Sequence, residues 1–476
     1  MKPTYYIYDS HQQQKVPLEP IQPDCVKIYI CGPTVYDYSH LGHARSAIAF
    51  DLLQRTLELS GYGVQIVKNF TDIDDKIIHK AHQEQTDIKT LSEHFIASYL
   101  EDMQALGVQR AHLEPRASQH LESIAQMIQT LLDKGCAYKT SNGDIYLDTT
   151  CDLHYGALSA HSLDQESLSR IEDNPHKRHE KDFALWKAYK GDSDVGYDSV
   201  VGKGRPGWHI ECSAMIFANL AYHEHPYQID IHGGGSDLFF PHHENEASQT
   251  RCAFDQELAK YWMHNGFVNI SGQKMSKSLG NSFYIKDALK VYDGEILRNY
   301  LLGTHYRAIL HFNEEDLLVH KKRLDKLYRL KKRALELAQP RADNAPSPFG
   351  FALLECMQDD LNISKALSVL EEHLRLLNES LDHAPKPTKK QKAQEILQDL
   401  AFVETLLGLG GKDPMLYFQL GVDGALKAHI EAQIQLRLQA KQAKNFALAD
   451  RIREELATQG ILLMDQVGGT TWEKLW

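Results

Sequence analysis

Residues 26–67 read VKIYICGPTVYDYSHLGHARSAIAFDLLQRTLELSGYGVQIV, and this stretch decides the fold class. Val26-Lys27-Ile28-Tyr29-Ile30 is a short β-favouring run that ends at a Gly-Pro turn. Ala44 to Leu59 carries Ile48, Leu52, Leu53 and Leu57 at helical spacing, and Val64-Gln65-Ile66-Val67 is the next strand. Two strands around a crossover helix imply a parallel pair with a right-handed connection, the start of a doubly wound, Rossmann-type α/β sheet.

The alternation returns further on. Ile229-Asp230-Ile231 reads as a strand, Pro241 to Phe254 as a helix, and Gly266-Phe267-Val268-Asn269-Ile270 as another strand. The mixed stretch between them reads as an insertion that splits the α/β domain, giving halves at 1–115 and 201–270 around a connective segment at 116–200. After about Tyr292 the pattern is almost purely helical, with long amphipathic segments at Asp316 to Gln339 and Phe351 to Leu381 and Pro-rich loops near 340–346 and 384–387. The expected layout continues with a loop region at 271–315, a helical bundle at 316–412 and a small mixed module at 413–476.

A chain of 476 residues is too long for one ordinary core and suggests two to four domains. The N-terminus has no apolar run of signal-peptide type, and no stretch approaches the roughly 18 apolar residues of a membrane span. Seven scattered cysteines, an odd number, read as reduced thiols in the cytoplasm, some of them free to serve as metal ligands. The net charge of −12 argues against a surface coated with nucleic acid. It leaves room for a local basic face such as Lys321 to Arg333, which also fits a solvated helix face.

Two clusters carry nucleotide chemistry. His40-Leu41-Gly42-His43 stands where a turn hands over to a helix, whose free N–H groups and partial positive charge suit a phosphate. Two imidazoles can donate to phosphate oxygens as charge develops, although the tetrapeptide alone is more often a capped helix start. Lys274-Met275-Ser276-Lys277-Ser278 follows a strand, and its lysines and hydroxyls can close over a triphosphate. Alone it also fits an ordinary exposed loop.

Together the pair resembles the HIGH and KMSKS signatures of class I aminoacyl-tRNA synthetases, with Leu41 in place of isoleucine. Further strings narrow the likeness: Cys31-Gly32-Pro33-Thr34-Val35-Tyr36, Asn69-Phe70-Thr71-Asp72-Ile73-Asp74, Arg205-Pro206-Gly207-Trp208-His209-Ile210-Glu211-Cys212-Ser213, His232-Gly233-Gly234-Gly235-Ser236-Asp237 and Pro241-His242-His243-Glu244-Asn245-Glu246. In this order they resemble the cysteinyl-tRNA synthetase family, and the likeness runs through Met357-Gln358-Asp359-Asp360-Leu361-Asn362 to the C-terminus. The chain departs from the family at Tyr197-Asp198-Ser199-Val200-Val201, where a Trp-rich string is usual, and at Leu361-Asn362-Ile363.

The resemblance implies an ATP-dependent ligase that activates L-cysteine, with Mg²⁺, and loads it onto tRNA(Cys). It implies catalytic His40, His43, Lys274 and Lys277, ATP contacts from His40, Gly42, His43, Gly235, Asp237 and Lys277, and an amino-acid pocket at Gly32, Thr71, Trp208, His232 and Asp237. Thr71, Trp208 and His232 also read as packed core residues. One zinc ion is expected on Cys31, Cys212, His242 and Glu246. His242 and Glu246, four apart, share a helix face as two ligands of one metal would, and imidazole, carboxylate and thiolates suit zinc. Spacing alone does not choose the thiolates, because Cys25, Cys136, Cys151, Cys252 and Cys356 are also available.

The family likeness assigns stem contact to 271–315, tRNA binding to the bundle and anticodon binding to the terminal module. There Lys441, Lys444, Phe446, Arg451 and Trp472 mix cations with aromatics as single-stranded RNA binders do, with Phe446 also readable as core. A monomer without membrane association is expected. Two rivals stand beside this reading: a cysteine:amino-sugar ligase of mycothiol biosynthesis, which resembles only the catalytic part, and a non-catalytic tRNA-binding paralogue.

Overall fold

The computed structural model describes residues 4–159, 175–191, 194–270, 273–274, 283–340, 346–466 and 469–475. The chain forms two compact units. The first comprises Met1–Ala288, Tyr300–Glu314 and Ala352–Ser368; the second comprises Leu289–Asn299, Glu315–Phe351 and Val369–Trp476.

At the centre of the first unit lies a four-stranded parallel sheet, in the order Glu257–Asn265, Tyr227–Gly235, Cys25–Ile30, Gly63–Lys68. Cys25–Ile30 and Gly63–Lys68 flank the helix Leu41–Leu59, as the opening stretch predicts. This helix is hydrophobic around most of its girth, as sheet packing requires: Leu41, Ile48, Leu52, Leu53 and Leu57 are all buried. Phe50 on the same helix lies against Gly233, where an added Cβ would come within 2.3 Å of the ring. Chain order along the sheet reverses between Cys25–Ile30 and Tyr227–Gly235. The crevice beyond the carboxyl ends of those two strands is therefore the place where doubly wound sheets take ligands.

The inserted stretch folds as a four-stranded antiparallel sheet, Ala137–Lys139, Ile145–Leu147, Phe183–Ala188 and Gly204–Pro206, backed by the helix Leu121–Asp133. Its last strand runs past the expected boundary at 200. The fourth parallel strand is Glu257–Asn265, not the expected Gly266–Ile270. Its sequence, ELAKYWMHN, neither alternates nor forms an unbroken apolar run, which hides the strand, while Val268–Ile270 joins a separate small sheet with Gln273–Lys274 and Leu310–Phe312.

The long helix expected over Phe351 to Leu381 is broken into Pro348–Met357 and Ile363–His383. Asp360 and Leu361 take φ of 57° and 51° between them. The Asp360 carboxylate accepts hydrogen bonds from the Tyr8 N–H at 2.9 Å, the Tyr306 hydroxyl at 2.7 Å and the Arg307 Nε at 2.9 Å. Those tertiary bonds override helical propensity and tie residues 352–368 to the first unit.

In the second unit the helices Asp316–Leu335 and Lys386–Leu407 pack together. Further along, Gly424–Gln442 and Phe446–Thr458 cover the hairpin Ile461–Gln466 and Gly469–Lys474. Ile430, Ile434, Ile452, Leu456, Ile461, Leu463 and Trp472 form the core of this terminal module.

Candidate active site and metal centre

Cys31 emerges directly from the strand Cys25–Ile30, and its N–H donates to the Gly233 carbonyl at 3.1 Å. Gly32 follows under a tight constraint, because a Cβ there would sit 1.6 Å from the Asn69 carbonyl oxygen. The Gly32 N–H donates to Asn69 Oδ1 at 2.8 Å, and Val35 N–H donates to the Thr71 carbonyl. Loops 31–35 and 69–74 thus run side by side at the carboxyl ends of their strands.

Four buried side chains converge there: Cys31, Cys212, His242 and Glu246, with ligand atoms all within 4.8 Å of one another. Cys212 comes from the helix Trp208–Asn219. His242 lies in a π turn, Phe239–His243, ahead of the regular helix Glu244–Phe254, so the expected continuous helix from Pro241 begins later than predicted. The turn nevertheless keeps the two ligands four apart on one face, with His242 Nε2 2.8 Å from Glu246 Oε1.

The donor set fits zinc. Bonds of about 2.3 Å to sulfur and about 2.0–2.1 Å to nitrogen in a tetrahedron place two sulfurs about 3.8 Å apart and sulfur and nitrogen about 3.6 Å apart. The Cys31 and Cys212 sulfurs are 3.8 Å apart, and Cys212 Sγ is 3.6 Å from His242 Nε2. Cys31 Sγ lies 3.5 Å from Glu246 Oε1. The His242–Glu246 pair, at 2.8 Å, is closer than a shared metal allows by about 0.5 Å. A second grouping, Cys31, His232, His243 and Glu246, shares two of these residues but offers one sulfur.

The charges are arranged around one another. Burial pushes the Cys212 thiol up, but the Cys31 S–H donating to it and the His242 imidazolium bring it down to about 6. Burial, then Cys212 and Glu246, hold Cys31 well above the usual thiol range. Burial opposes charge on His242 and on Glu246, yet their mutual attraction holds the imidazole up at about 10 and the carboxyl down at about 2. To hold a metal, His242 and Cys31 would have to give up the protons they carry in this arrangement.

Several positioning contacts were not legible in the sequence. Trp208 stacks on His242, and His209 Nδ1 lies 2.8 Å from His242 Nδ1. His232 donates to Glu246 Oε2 at 2.8 Å, and its other nitrogen faces the Tyr29 carbonyl oxygen at 3.2 Å. His243 and His264 are hydrogen-bonded at 2.8 Å. Burial, then the surrounding histidines, pushes His243 well below the usual range and His264 to about 3. The density of histidines between 209 and 264 was the signal available. Next to the cluster a cavity of about 210 Å³ is lined by Trp208, His209, Asn245, Phe183, Asp74 and Lys187.

His40 caps the Leu41–Leu59 helix: its Nδ1 accepts the Gly42 N–H at 3.1 Å, and its own N–H donates to His43 Nδ1 at 3.3 Å. The two rings stack at 3.8 Å, leaving both half-buried. Met275, Ser276, Lys277 and Ser278 lie outside the described residues, as does the side chain of Lys274, whose backbone pairs with Asn269. The chain that follows them returns to the cap, with Leu41 N–H donating to Phe283 O and His40 bridged to Tyr284. Asp237 lies in the short turn Ser236–Leu238 after Gly235. The glycines before it answer to packing: Gly233 meets Phe50, and Gly234 meets Leu238 and His243.

The expected RNA-contacting residues divide. Phe446 and Arg451 are exposed, and Lys444 has φ 59°. Lys441 is paired with Asp465 at 2.9 Å. Trp472 is a correction: it is buried in the core of the terminal module and presents no ring for stacking on a base. Composition could not separate it from Phe446, because both are aromatics among cations.

The family described as "tRNA synthetases class I (C) catalytic domain" matches residues 17–322, and the "DALR domain" matches residues 352–409. A cysteine–tRNA ligase of Helicobacter pylori strain G27 is 63% identical over 470 residues, covering 99% of this chain and 100% of that protein. The chain belongs to the cysteine–tRNA ligase family. A cysteine–tRNA ligase of a Nitratiruptor species is 58% identical over 469 residues, covering 98% of this chain and 100% of that protein. Cysteine–tRNA ligases thus match it through the terminal module as well as the catalytic unit.

The fold is shared more widely. Mycobacterium tuberculosis methionyl-tRNA synthetase in complex with methionyl-adenylate superposes with a TM-score of 0.61 at 13% identity, covering 81% of this chain and 92% of that one. The ternary complex of Agrobacterium radiobacter K84 agnB2 LeuRS with tRNA and LeuAMS gives 0.59 at 11% identity, covering 86% of each chain. No helix among the described residues is long and apolar enough to cross a membrane.

Proposed function

We propose that this cysteine–tRNA ligase family member joins L-cysteine to the adenylyl group of ATP, releasing pyrophosphate, and then passes the cysteinyl group from the adenylate to the terminal adenosine of tRNA(Cys). The buried Cys31, Cys212, His242 and Glu246 set, at the topological switch of a doubly wound sheet, carries this reading. Zinc held by these residues supplies a soft Lewis acid that takes a thiolate in preference to a hydroxyl. Cysteine is thereby separated from serine, a near-isostere that pocket shape alone discriminates by only about a hundredfold.

The chain's own groups do the rest. The cysteine carboxylate attacks the ATP α-phosphorus, and pyrophosphate leaves with Mg²⁺. His40 and His43, at the N-terminus of the Leu41–Leu59 helix, donate to phosphate oxygens as charge develops there. Lys277, with Lys274, neutralises the departing pyrophosphate. Gly42 leaves room for phosphate, while Gly235 and Asp237 face adenosine. Gly32, Thr71, Trp208 and His232 shape the amino-acid pocket. Phe446, Arg451 and Lys444 are the RNA contacts retained for the terminal module. Free cysteines throughout the chain support a reducing, cytoplasmic setting, and a monomer carries every proposed site.

The test combines zinc content with cysteine-dependent ATP–pyrophosphate exchange and charging of tRNA(Cys). One zinc per chain with exchange driven by cysteine and not serine is expected. Metal-free protein that exchanges normally would overturn the reading.

A further inference from the structure

Glu211 stands one residue before Cys212 on the helix Trp208–Asn219, and its side chain is fully buried. Among the described residues it is the one buried carboxylate with neither oxygen hydrogen-bonded. The Thr71 hydroxyl lies beside it without making a well-formed bond. Other acids nearby are already occupied. Asp72 accepts the Ser118 N–H at 2.9 Å and the Ser118 hydroxyl, and Asp74 caps the next helix through the Lys76 N–H at 2.9 Å. No basic side chain among the described residues pairs with Glu211, whereas the buried Asp152 has Arg251 at 2.7 Å.

Burial, then Cys212, Asp72 and Asp74, push the Glu211 carboxyl well above the usual carboxylate range, so it is held ionised only where a cation comes beside it. The place is specific: loop 69–74, paired to the loop that carries Cys31, at the carboxyl ends of the parallel strands. Glu211 and Cys212 are neighbours on one helix turn, their Cα atoms about 3.8 Å apart. A thiol amino acid held by its sulfur carries its ammonium on the carbon next to the thiol-bearing one, roughly 3–4 Å from the sulfur. The ligand thus brings a cation toward a buried carboxyl that has no cation of its own.

We propose that Glu211 is the carboxylate that receives the α-ammonium group of the amino-acid substrate. It acts as a specificity-determining binding residue: the metal set reads the sulfur, and Glu211 reads the amino group. This rests on the proposed function, since it presupposes cysteine in the site.

The test compares cysteine with 3-mercaptopropionate, which keeps the thiol and carboxylate and lacks the amino group. In Glu211→Gln the KM for cysteine in ATP–pyrophosphate exchange should rise about tenfold or more. The inhibition constant of 3-mercaptopropionate should stay within about twofold of wild type, as expected when no charged hydrogen bond is lost. Zinc content should be unchanged. Parallel weakening of both ligands, or no change in either, would overturn the assignment. Glu211→Asp, which withdraws the carboxylate by one methylene, is the second variant and must show the same selective loss. Wild-type protein without cysteine-dependent exchange would instead remove the functional reading itself, and this inference with it.

Discussion

Trp208 lies flat against His242, their ring centroids 4.1 Å apart and their planes inclined by 23°. Together with His209, which meets the opposite nitrogen of the same imidazole, it turns His242 Nε2 toward Cys212 and Glu246. Groups that orient a ligand in this way typically contribute 10–100-fold to metal affinity. Trp208→Ala should therefore lose zinc to a chelator about tenfold faster than wild type, and Trp208→Phe much less so. Equal rates for alanine and wild type would show that the stack orients nothing.

Cys212→Ser keeps the shape of the site and exchanges a thiolate for a hydroxyl that is protonated in ordinary buffers. The variant is expected to retain little zinc and to lose cysteine activation far more than ATP binding. In wild type loaded with Co²⁺, adding cysteine should change the sulfur-to-metal charge-transfer band, whereas serine should not. An unchanged band at saturating cysteine would mean that the metal only braces the fold.

Asp152 and Arg251 form a largely buried ion pair at 2.7 Å. Burial alone would raise the Asp152 carboxyl, but Arg251 holds it below the usual carboxylate value. A depressed folded pKa means that the stabilisation is fully present above about pH 4 and is lost as pH falls through the folded value. Asp152→Asn should cost about 3 kcal/mol at neutral pH and make the acid limb of unfolding shallower. Coincident acid transitions of variant and wild type would contradict this.

The terminal module offers a paired comparison. Phe446→Ala removes an exposed ring and should lower the rate of tRNA charging about tenfold, with ATP–pyrophosphate exchange unchanged. Trp472→Ala removes a core residue and should destabilise the module by about 3–5 kcal/mol, measurable as early melting. Normal charging by Phe446→Ala would clear that face of RNA contact. A truncation to test the module should begin after Gly421, because Tyr417 stacks on Tyr328 at 3.9 Å and Lys331 donates to Gly410 and Lys412.

The opening strand, helix and strand were readable because their apolar residues repeat with unbroken period. The metal set was readable only through the family resemblance, since the chain contains seven cysteines and no spacing singles out two. What remained hidden was tertiary. Glu257–Asn265 does not alternate because consecutive residues along it are buried on both faces of the sheet, and the break at Asp360 exists only because Tyr8, Tyr306 and Arg307 converge on one carboxylate. The exposure of Phe446 and the burial of Trp472 depend on which helix face meets the hairpin, which no local pattern records.

Cys31 and Cys212 touch across 181 positions of chain, and closing so long a loop costs about 5 kcal/mol of entropy. On the ribosome, the first thiol therefore waits unpartnered while the whole insertion is made. The strand that lies beside it in the sheet, Tyr227–Gly235, comes later still, and Glu246 follows 34 residues after Cys212. Metal uptake in a growing polypeptide thus waits until about half of the chain is made and coincides with closure of the sheet's centre. Zinc shortage during translation should yield a nearly complete catalytic fold lacking its ion rather than an early arrested fragment.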